Sequence, residues 1–472
     1  MKIAIIGAGP AGITAAYQLS KKTAQVTVYE ASGQVGGLAK TIDLWNQKID
    51  IGPHRFFSDD KRINDLWLEV VGNDYEMVNR LTRIYYKGKF FYYPLKPIDA
   101  LLKLGIVEAC ICFMSYVTER IIPTKNTTHF EGWVTSRFGK RLYQVFFKTY
   151  SEKLWGIPCT QLDADFAAQR IKKLSLWEAI INGLKGGKNN THKSLVDEFA
   201  YPHGGTGSVY ERMSTTVVAN GGQVLTNTAV KQVLIENNKA IGIVLENGET
   251  HYYDHIISSM PLTLMVQRIS DVPEKIKNLC NNLTYRSTIL VYLKVNAVHL
   301  FPDNWLYIHS ADLQLGRLTN FSNWVPHINN NQKETILCLE YWSNYNDDFY
   351  TKTDQELIAL AKYETKQTGL IGNAQITDGY VYRIPRCYPV YSTGYKESLL
   401  PVQEYLTNIK NMSVVGRYGA FKYNNQDHSI LMGILAADNI LNNTEHNLWD
   451  INTDYENYQE SSVISKTGLS KN

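Results

Sequence analysis

The stretch KIAIIGAGPAGITAAYQLSKKTAQVTVYE, residues 2–30, decides the fold. Lys2 to Ile6 is a short apolar run suited to a buried strand, Pro10 to Leu19 has helical periodicity, and Gln25 to Tyr29 is a second β-branched run. Gly7, Gly9 and Gly12 stand between the first strand and the helix, where missing side chains permit a tight turn, close approach of a pyrophosphate and close helix packing. The helix N-terminus, starting at Pro10 and Ala11, then faces the phosphates with its partial positive charge. Glu30 ends the second strand at the spacing expected of an acid that accepts ribose hydroxyls. A glycine turn that only links strand to helix needs none of these companions, so the βαβ unit reads as a dinucleotide site.

NAD and FAD place adenosine in the same way, and the βαβ unit alone leaves that choice open. Gly36-Gly37-Leu38-Ala39-Lys40-Thr41 follows the acid, and its backbone can set amides against the far phosphate and flavin. With residues 2–41 taken together, the opening resembles that of the two-dinucleotide-binding flavoproteins, which include amine oxidases, protoporphyrinogen oxidases and UDP-galactopyranose mutases. The resemblance implies FAD, with Gly7, Gly9, Pro10, Ala11, Gly12, Glu30, Gly36, Gly37 and Leu38 at the cofactor.

Outward from this unit, the 472 residues, 44% hydrophobic and 20% charged, are enough for two or three domains. The expected fold is α/β: a discontinuous Rossmann-like FAD-binding domain (1–60, 200–262 and 410–445), a mainly helical substrate-side insertion (61–199) and an antiparallel-sheet substrate domain (263–409). A polar tail (446–472) follows, mobile beyond Asp454. Short β-rich runs between Gln223 and Met260, with a hairpin turn at Glu246-Asn247-Gly248, and again at Ser287 to Val325 and Thr335 to Tyr341, support this division. The most hydrophobic stretch, Ala100 to Val117, carries Lys103 and Glu108 and falls short of a spanning helix. It predicts a buried helix, with peripheral membrane contact as the sharper alternative.

A net charge of +3 gives no general attraction to nucleic acid. The six cysteines are scattered without metal-like spacing, so no metal is expected and a reduced, cytoplasmic setting fits.

The segment GRYGAFKYNNQDHSILMGILAADNI, residues 416–440, places Arg417, Lys422, Tyr423, Asn425 and Asp427 ahead of or at a predicted helix start, where cations suit an anionic ligand. It is similar to the matching stretch of UDP-galactopyranose mutases, which implies Arg417 and Asp427 at the cofactor and Tyr423 and Asn425 at the substrate. Three further stretches agree. In YSEKLWGIPCTQLDADFAAQRI, Trp155 and Arg170 fall where the family has a substrate tryptophan and a diphosphate arginine. In NWLYIHSADLQLGRLTNFSNWVP, Trp305, Tyr307 and Arg317 match a base-packing pair and the second diphosphate arginine, and Tyr388 of CYPVY matches a substrate tyrosine. His54 of DIGPHRFFSDD corresponds to a histidine beside the flavin, although Arg55 and Phe56 follow it where the mutases carry smaller residues.

Taken singly, each of these arginines reads as a surface ion-pair residue and each aromatic as core packing. Together they suit a nucleotide sugar, because planar guanidinium groups grip pyrophosphate oxygens two at a time. The resemblance implies a mutase-like isomerase that interconverts pyranose and furanose through a reduced-flavin adduct, with Arg170, Arg317 and His54 at the chemistry. NAD(P)H or another reductant would keep FAD reduced. An FAD-dependent oxidoreductase of the amine oxidase or protoporphyrinogen oxidase type is the alternative, and its cavity would be largely apolar. A flavin-binding protein without turnover is the third.

Overall fold

The computed structural model describes residues 1–22, 25–93, 95–166, 198–330, 332–451, 462–465 and 468–471. The chain divides into two compact units. One comprises Met1–Met77, Phe199–Thr284 and Lys396–Asn472, and the other Val78–Glu198 and Tyr285–Tyr395.

The first unit is built on a five-stranded parallel sheet in the order Met412–Val414, His255–Ser258, Ile3–Ile6, Val26–Tyr29 and Gln223–Leu225. Every residue of the central strand Ile3–Ile6 is buried, as an all-apolar run in a parallel sheet requires. Helix Pro10–Ser20 packs against helix Gln426–Leu441, and Gly433 makes this possible: a Cβ there would lie 2.5 Å from the Ala11 carbonyl oxygen. The C-terminal helix thus returns to the start of the first helix through close backbone approach. An antiparallel ribbon, Thr41–Leu44 with Gln47–Asp50, and a three-stranded sheet from Val230 to Tyr252 complete the β structure of this core.

In the second unit the sheet has seven strands, in the order Ile376–Pro389, Tyr285–Val295, Thr335–Ser343, Arg317–Asn320, Trp305–Ile308, Thr82–Tyr86 and Lys89–Tyr92. All neighbours are antiparallel except Trp305–Ile308 with Thr82–Tyr86. Side chains alternate between the faces. Ile289, Val291, Leu306, Leu318 and Leu339 share one face and form a core with Leu357 and Ala361 of helix Asp354–Gln367. The opposite face carries the polar and aromatic residues described below.

Three expectations are corrected. The helical insertion and the antiparallel sheet are not separate domains: hydrogen bonding of Thr82–Tyr86 to Trp305–Ile308 makes them one unit, a pairing that composition along the chain does not encode. Ala100 to Val117 is not a buried helix. It is two helices, Pro97–Leu104 and Ile106–Ile121, broken at Gly105 (φ +94°), and Leu102, Ile106, Val107, Ile111, Phe113 and Met114 are exposed while Ala100 and Cys112 are buried. In the polar tail, Ser462–Ser465 and Gly468–Lys471 pair as an antiparallel hairpin, and the Tyr75 hydroxyl donates to the Ser465 carbonyl at 2.7 Å.

Candidate functional site

The glycine turn of the first unit is a cradle made of backbone. Gly7 adopts φ +93°, and a Cβ on Gly12 would lie 2.0 Å from the Gly7 carbonyl oxygen. Gly37, at φ +55°, brings its backbone so near that a Cβ would stand 2.8 Å from the Gly9 Cα. The two glycine segments are therefore stacked on each other, with Leu38 in the short 3₁₀ turn Gly37–Ala39. Helix Pro10–Ser20 begins with Gly9 as its N-cap and Pro10 in the first turn, and no side chain caps it. A helix start of this kind offers N–H groups and a positive dipole end to an anion.

Glu30 lies beside this turn: its carboxylate accepts from Ala8 N at 2.8 Å, and from Ser32 N and Oγ at 2.9 and 2.6 Å. Lys40 Nζ donates to the same Ser32 hydroxyl at 2.6 Å. These contacts fix the carboxylate at the end of the second strand, where ribose hydroxyls are met in dinucleotide folds.

The C-terminal segment and the His54 loop join this cradle. Gly416, at φ +83°, would place a Cβ 3.0 Å from that of Ala11. Arg417 donates to the Asn424 carbonyl at 3.2 Å and lies over the Tyr423 ring, 4.5 Å from its centroid. Asp427, buried in the first turn of helix Gln426–Leu441, has an oxygen 2.8 Å from His428 Nδ1. Gln426 Nε2 donates to the Arg55 carbonyl at 2.9 Å, and the Tyr210 hydroxyl donates to Gln426 at 2.8 Å. Asn425 is the N-cap residue but its side chain does not cap the helix. Lys422 is not one of the cations at the helix start: its ammonium donates to the carbonyls of Trp449 and Ile451. Phe56 is buried and stacks on Trp67 at 4.7 Å, so the bulky residue after His54 fills core.

His54 is held through a buried acid. Asp50 accepts from Thr41 Oγ1 at 2.5 Å, Tyr201 OH at 2.8 Å and Thr206 N at 3.1 Å, and the Thr206 hydroxyl donates to the His54 carbonyl at 2.8 Å. Burial pushes the Asp50 carboxyl up to about 6, against the pull of these donors. Because the folded-state value lies above the unfolded one, the protonated acid stabilises the fold at low pH, and that stabilisation is lost as pH rises through about 6. The size is about 3 kcal/mol, from a rise of about two pKa units. Asp50→Asn is expected to remove this dependence, so that the variant gains on the wild type between about pH 4 and 6 in denaturant titrations, the window between the ordinary carboxyl value and the folded-state value. Parallel pH profiles for the two proteins would sink the assignment.

In the second unit the register aligns Tyr307 with Arg317 and Arg317 with Glu340, which puts these three side chains in a row on one face of the sheet. Trp305 lies on the same face, one alternation along from Tyr307, and its ring is 6.0 Å from that of Trp324. Arg317 and Glu340 form a two-point ion pair, with Nε and Nη2 each 2.5 Å from a carboxylate oxygen. Arg317 is 18% exposed and Glu340 2%. Burial opposes the guanidinium charge, yet the attraction of Glu340, with smaller contributions from Tyr388 and Tyr150, holds its pKa well above the ordinary arginine value. Two N–H groups of the fork are engaged, and the remaining edge is the part that can meet a ligand.

Aromatic rings enclose this row. Tyr150 stacks on His309 at 4.8 Å and meets Tyr307 and Trp342 edge-on, each at 5.5 Å. Trp155 meets Tyr388 at 6.1 Å and Phe166 at 4.6 Å. Burial, with Lys153 nearby, lowers the His309 imidazole to about 3, so it is neutral at physiological pH. Arg286 fixes helix Thr149–Trp155, donating to the carbonyls of Leu154 and Trp342 at 3.1 and 2.9 Å.

Of the residues expected from sequence, Trp155, Trp305, Tyr307, Arg317 and Tyr388 are thus carried by the second unit, and the glycines, Glu30, His54, Arg417, Tyr423, Asn425 and Asp427 by the first. Arg170 lies outside the described residues. Glu340, Tyr150, His309 and Arg286 were not anticipated. Glu340 had a signal: in TILCLEYWS it is the one charged residue in a mainly apolar strand, a position that demands a buried partner.

Comparisons with known proteins agree with this construction. Residues 129–441 match the family model described as flavin containing amine oxidoreductase, and residues 5–70 match that of an NAD(P)-binding Rossmann-like domain. The carrot (Daucus carota) chloroplastic prolycopene isomerase is 27% identical over 289 residues, 54% of this chain and 45% of the carrot protein. The "Probable UDP-galactopyranose mutase" of Klebsiella pneumoniae is 29% identical over 173 residues, 34% of this chain and 43% of its own. The chain spans less than half the length of each of these two relatives. A crystal structure of reduced UDP-galactopyranose mutase superposes with a TM-score of 0.83 at 23% identity, covering 94% of both chains, which shows a shared fold. No described helix is long and apolar enough to cross a membrane. With the backbone cradle and its flanking acid suited to a dinucleotide, the chain belongs to the flavin-containing amine oxidoreductase family and its cofactor is FAD.

Proposed function

We propose that the protein is a mutase-like isomerase acting on a nucleotide sugar, exchanging its pyranose and furanose forms with no net redox change. The single observation that carries this reading is the Tyr307–Arg317–Glu340 row. A fixed, largely buried cation among tyrosine and tryptophan rings is costly to place in a cavity meant for an apolar substrate, and it suits a sugar diphosphate. Reduced FAD would supply a nucleophilic ring nitrogen.

The chain's own part is placement and charge. Arg317 holds the diphosphate oxygens, a role the resemblance assigns to Arg170 as well, and the guanidinium offsets the negative charge that grows as the nucleoside diphosphate departs. Glu340 keeps Arg317 in one orientation, so that no reorganisation is needed when that charge develops. In the second unit Trp305 and Tyr307 pack against the base and Trp155 and Tyr388 border the substrate; in the first, Tyr423 and Asn425 are substrate residues and His54 positions a hydroxyl or the flavin.

Dithionite-reduced protein incubated with UDP-galactopyranose or UDP-galactofuranose is expected to interconvert them, read by chromatography, and the oxidised protein is not. The second reading, an FAD-dependent oxidoreductase, draws on the family model, described as a flavin containing amine oxidoreductase. Oxygen consumption with an amine or porphyrinogen, and no sugar interconversion in the reduced protein, would establish it instead.

A further inference from the structure

Helix Ile106–Ile121 is inverted relative to an ordinary surface helix. Its inward side makes polar contacts: Arg141 pairs with Glu108 at 2.5 and 2.9 Å, and Arg141 N donates to the Ser115 hydroxyl at 3.0 Å. Its outward side is apolar. Ile106, Val107, Phe113, Met114, Ile121 and the following Ile122 are between 52 and 84% exposed. Leu102, on the preceding helix Pro97–Leu104, is exposed as well. Soluble proteins expose scattered apolar side chains, and a contiguous set of this size marks an interaction surface.

The charge around the patch identifies its occupant. Between Val78 and Thr128 there are eight Lys and Arg residues and three Asp and Glu. All three acids are engaged locally: Asp99 with Lys103, Glu108 with Arg141, and Glu119 with the Thr124 N–H. Lys96, Lys103 and Arg120 fringe the apolar side chains, lying over Tyr92 and Tyr116 rings at 4.3, 5.1 and 5.0 Å. Pairing with a second copy about a two-fold axis would set this cationic fringe against itself. Apolar side chains flanked by tyrosine and by Lys and Arg are instead the composition of a segment that lies in the interface of an anionic bilayer.

We propose that helices Pro97–Leu104 and Ile106–Ile121 seat the protein on the surface of a membrane rich in anionic lipid, without spanning it. Sedimentation of the full-length holoprotein with phosphatidylcholine vesicles, with and without phosphatidylglycerol, tests this. Wild type is expected to sediment with the phosphatidylglycerol vesicles and to be released by salt. Ile106→Glu/Phe113→Glu is expected to lower the bound fraction at least about tenfold while the flavin absorbance is retained. Arg120→Gln/Lys125→Gln is expected to weaken only the binding to phosphatidylglycerol vesicles. Wild type remaining in the supernatant with both vesicle types would overturn the proposal. So would equal, salt-insensitive binding to both, or a wild-type dimer by light scattering that the Glu variant renders monomeric without any vesicle binding.

Discussion

Gly12→Val is expected to give protein without yellow colour. The introduced Cβ would meet the Gly7 carbonyl oxygen at 2.0 Å and the Ile5 side chain at 3.3 Å. The first obstacle is backbone in the glycine turn, so it cannot be relieved by a rotamer change. Moving that turn costs about 3 kcal/mol or more by the measure of overpacked interiors. If most of this falls on the bound state, FAD affinity drops roughly a hundredfold. The ratio of flavin to protein absorbance after purification reads the effect. Gly248→Ala is the control: Gly248 also has a positive φ, +90°, but nothing lies within 4 Å of its Cβ position, so local strain without a clash should leave the colour intact. Full flavin occupancy in Gly12→Val would show that the cradle is not where the cofactor sits.

Arg317→Met is expected to destabilise the protein by about 3–5 kcal/mol, because it leaves the Glu340 carboxylate in the sheet without its cation. Glu340→Leu in the same chain should return most of that stability, since both charges are then replaced by apolar side chains of similar reach. Nucleotide-sugar binding should not return with it. Stability and affinity therefore separate in the double variant: unfolding recovers toward wild type, and UDP affinity remains at least about tenfold weaker, the value of one charge-assisted contact. FAD content is expected to stay unchanged throughout, because the residues of the glycine cradle and Glu30 belong to the other unit. Wild-type UDP affinity in Arg317→Met/Glu340→Leu would remove Arg317 from the substrate site.

The nucleotide-binding half was legible because its signals are short-range. The strand at Ile3–Ile6, the helix from Pro10 and the strand ending at Tyr29 fall where the pattern in residues 2–30 puts them. Tyr307 and Arg317 lie on adjacent strands of one hairpin and were read from one stretch of chain. Glu340 was not, although it determines how Arg317 behaves. A guanidinium in LGRLT reads equally as a surface charge or a ligand, and only the antiparallel register with Thr335–Ser343 shows that a carboxylate holds it.

The same distinction separates Lys422 from Arg417. They are close neighbours, both expected as cations near the helix start, but the Lys422 ammonium is taken by the Trp449 and Ile451 carbonyls while Arg417 stays with Tyr423 and Asn424. At Ala100 to Val117 composition gave the apolar character correctly and the direction wrongly. Hydrophobicity states how much apolar surface a helix has; which side meets the protein is set by Arg141, which reaches Glu108 and Ser115 from another helix.

The sequence by itself determined the βαβ unit, its suitability for a dinucleotide and the α/β class, because those follow from spacing within about thirty residues, the range of one such unit; FAD rather than NAD came from the resemblance of residues 2–41. Only the tertiary structure decided that the insertion and the sheet are one body, that Arg317 is locked to Glu340, and that a helix turns its apolar side outward. Each of these depends on strand register or helix docking between distant segments, where the identity of the partner, and not the residue's own character, fixes what a side chain does.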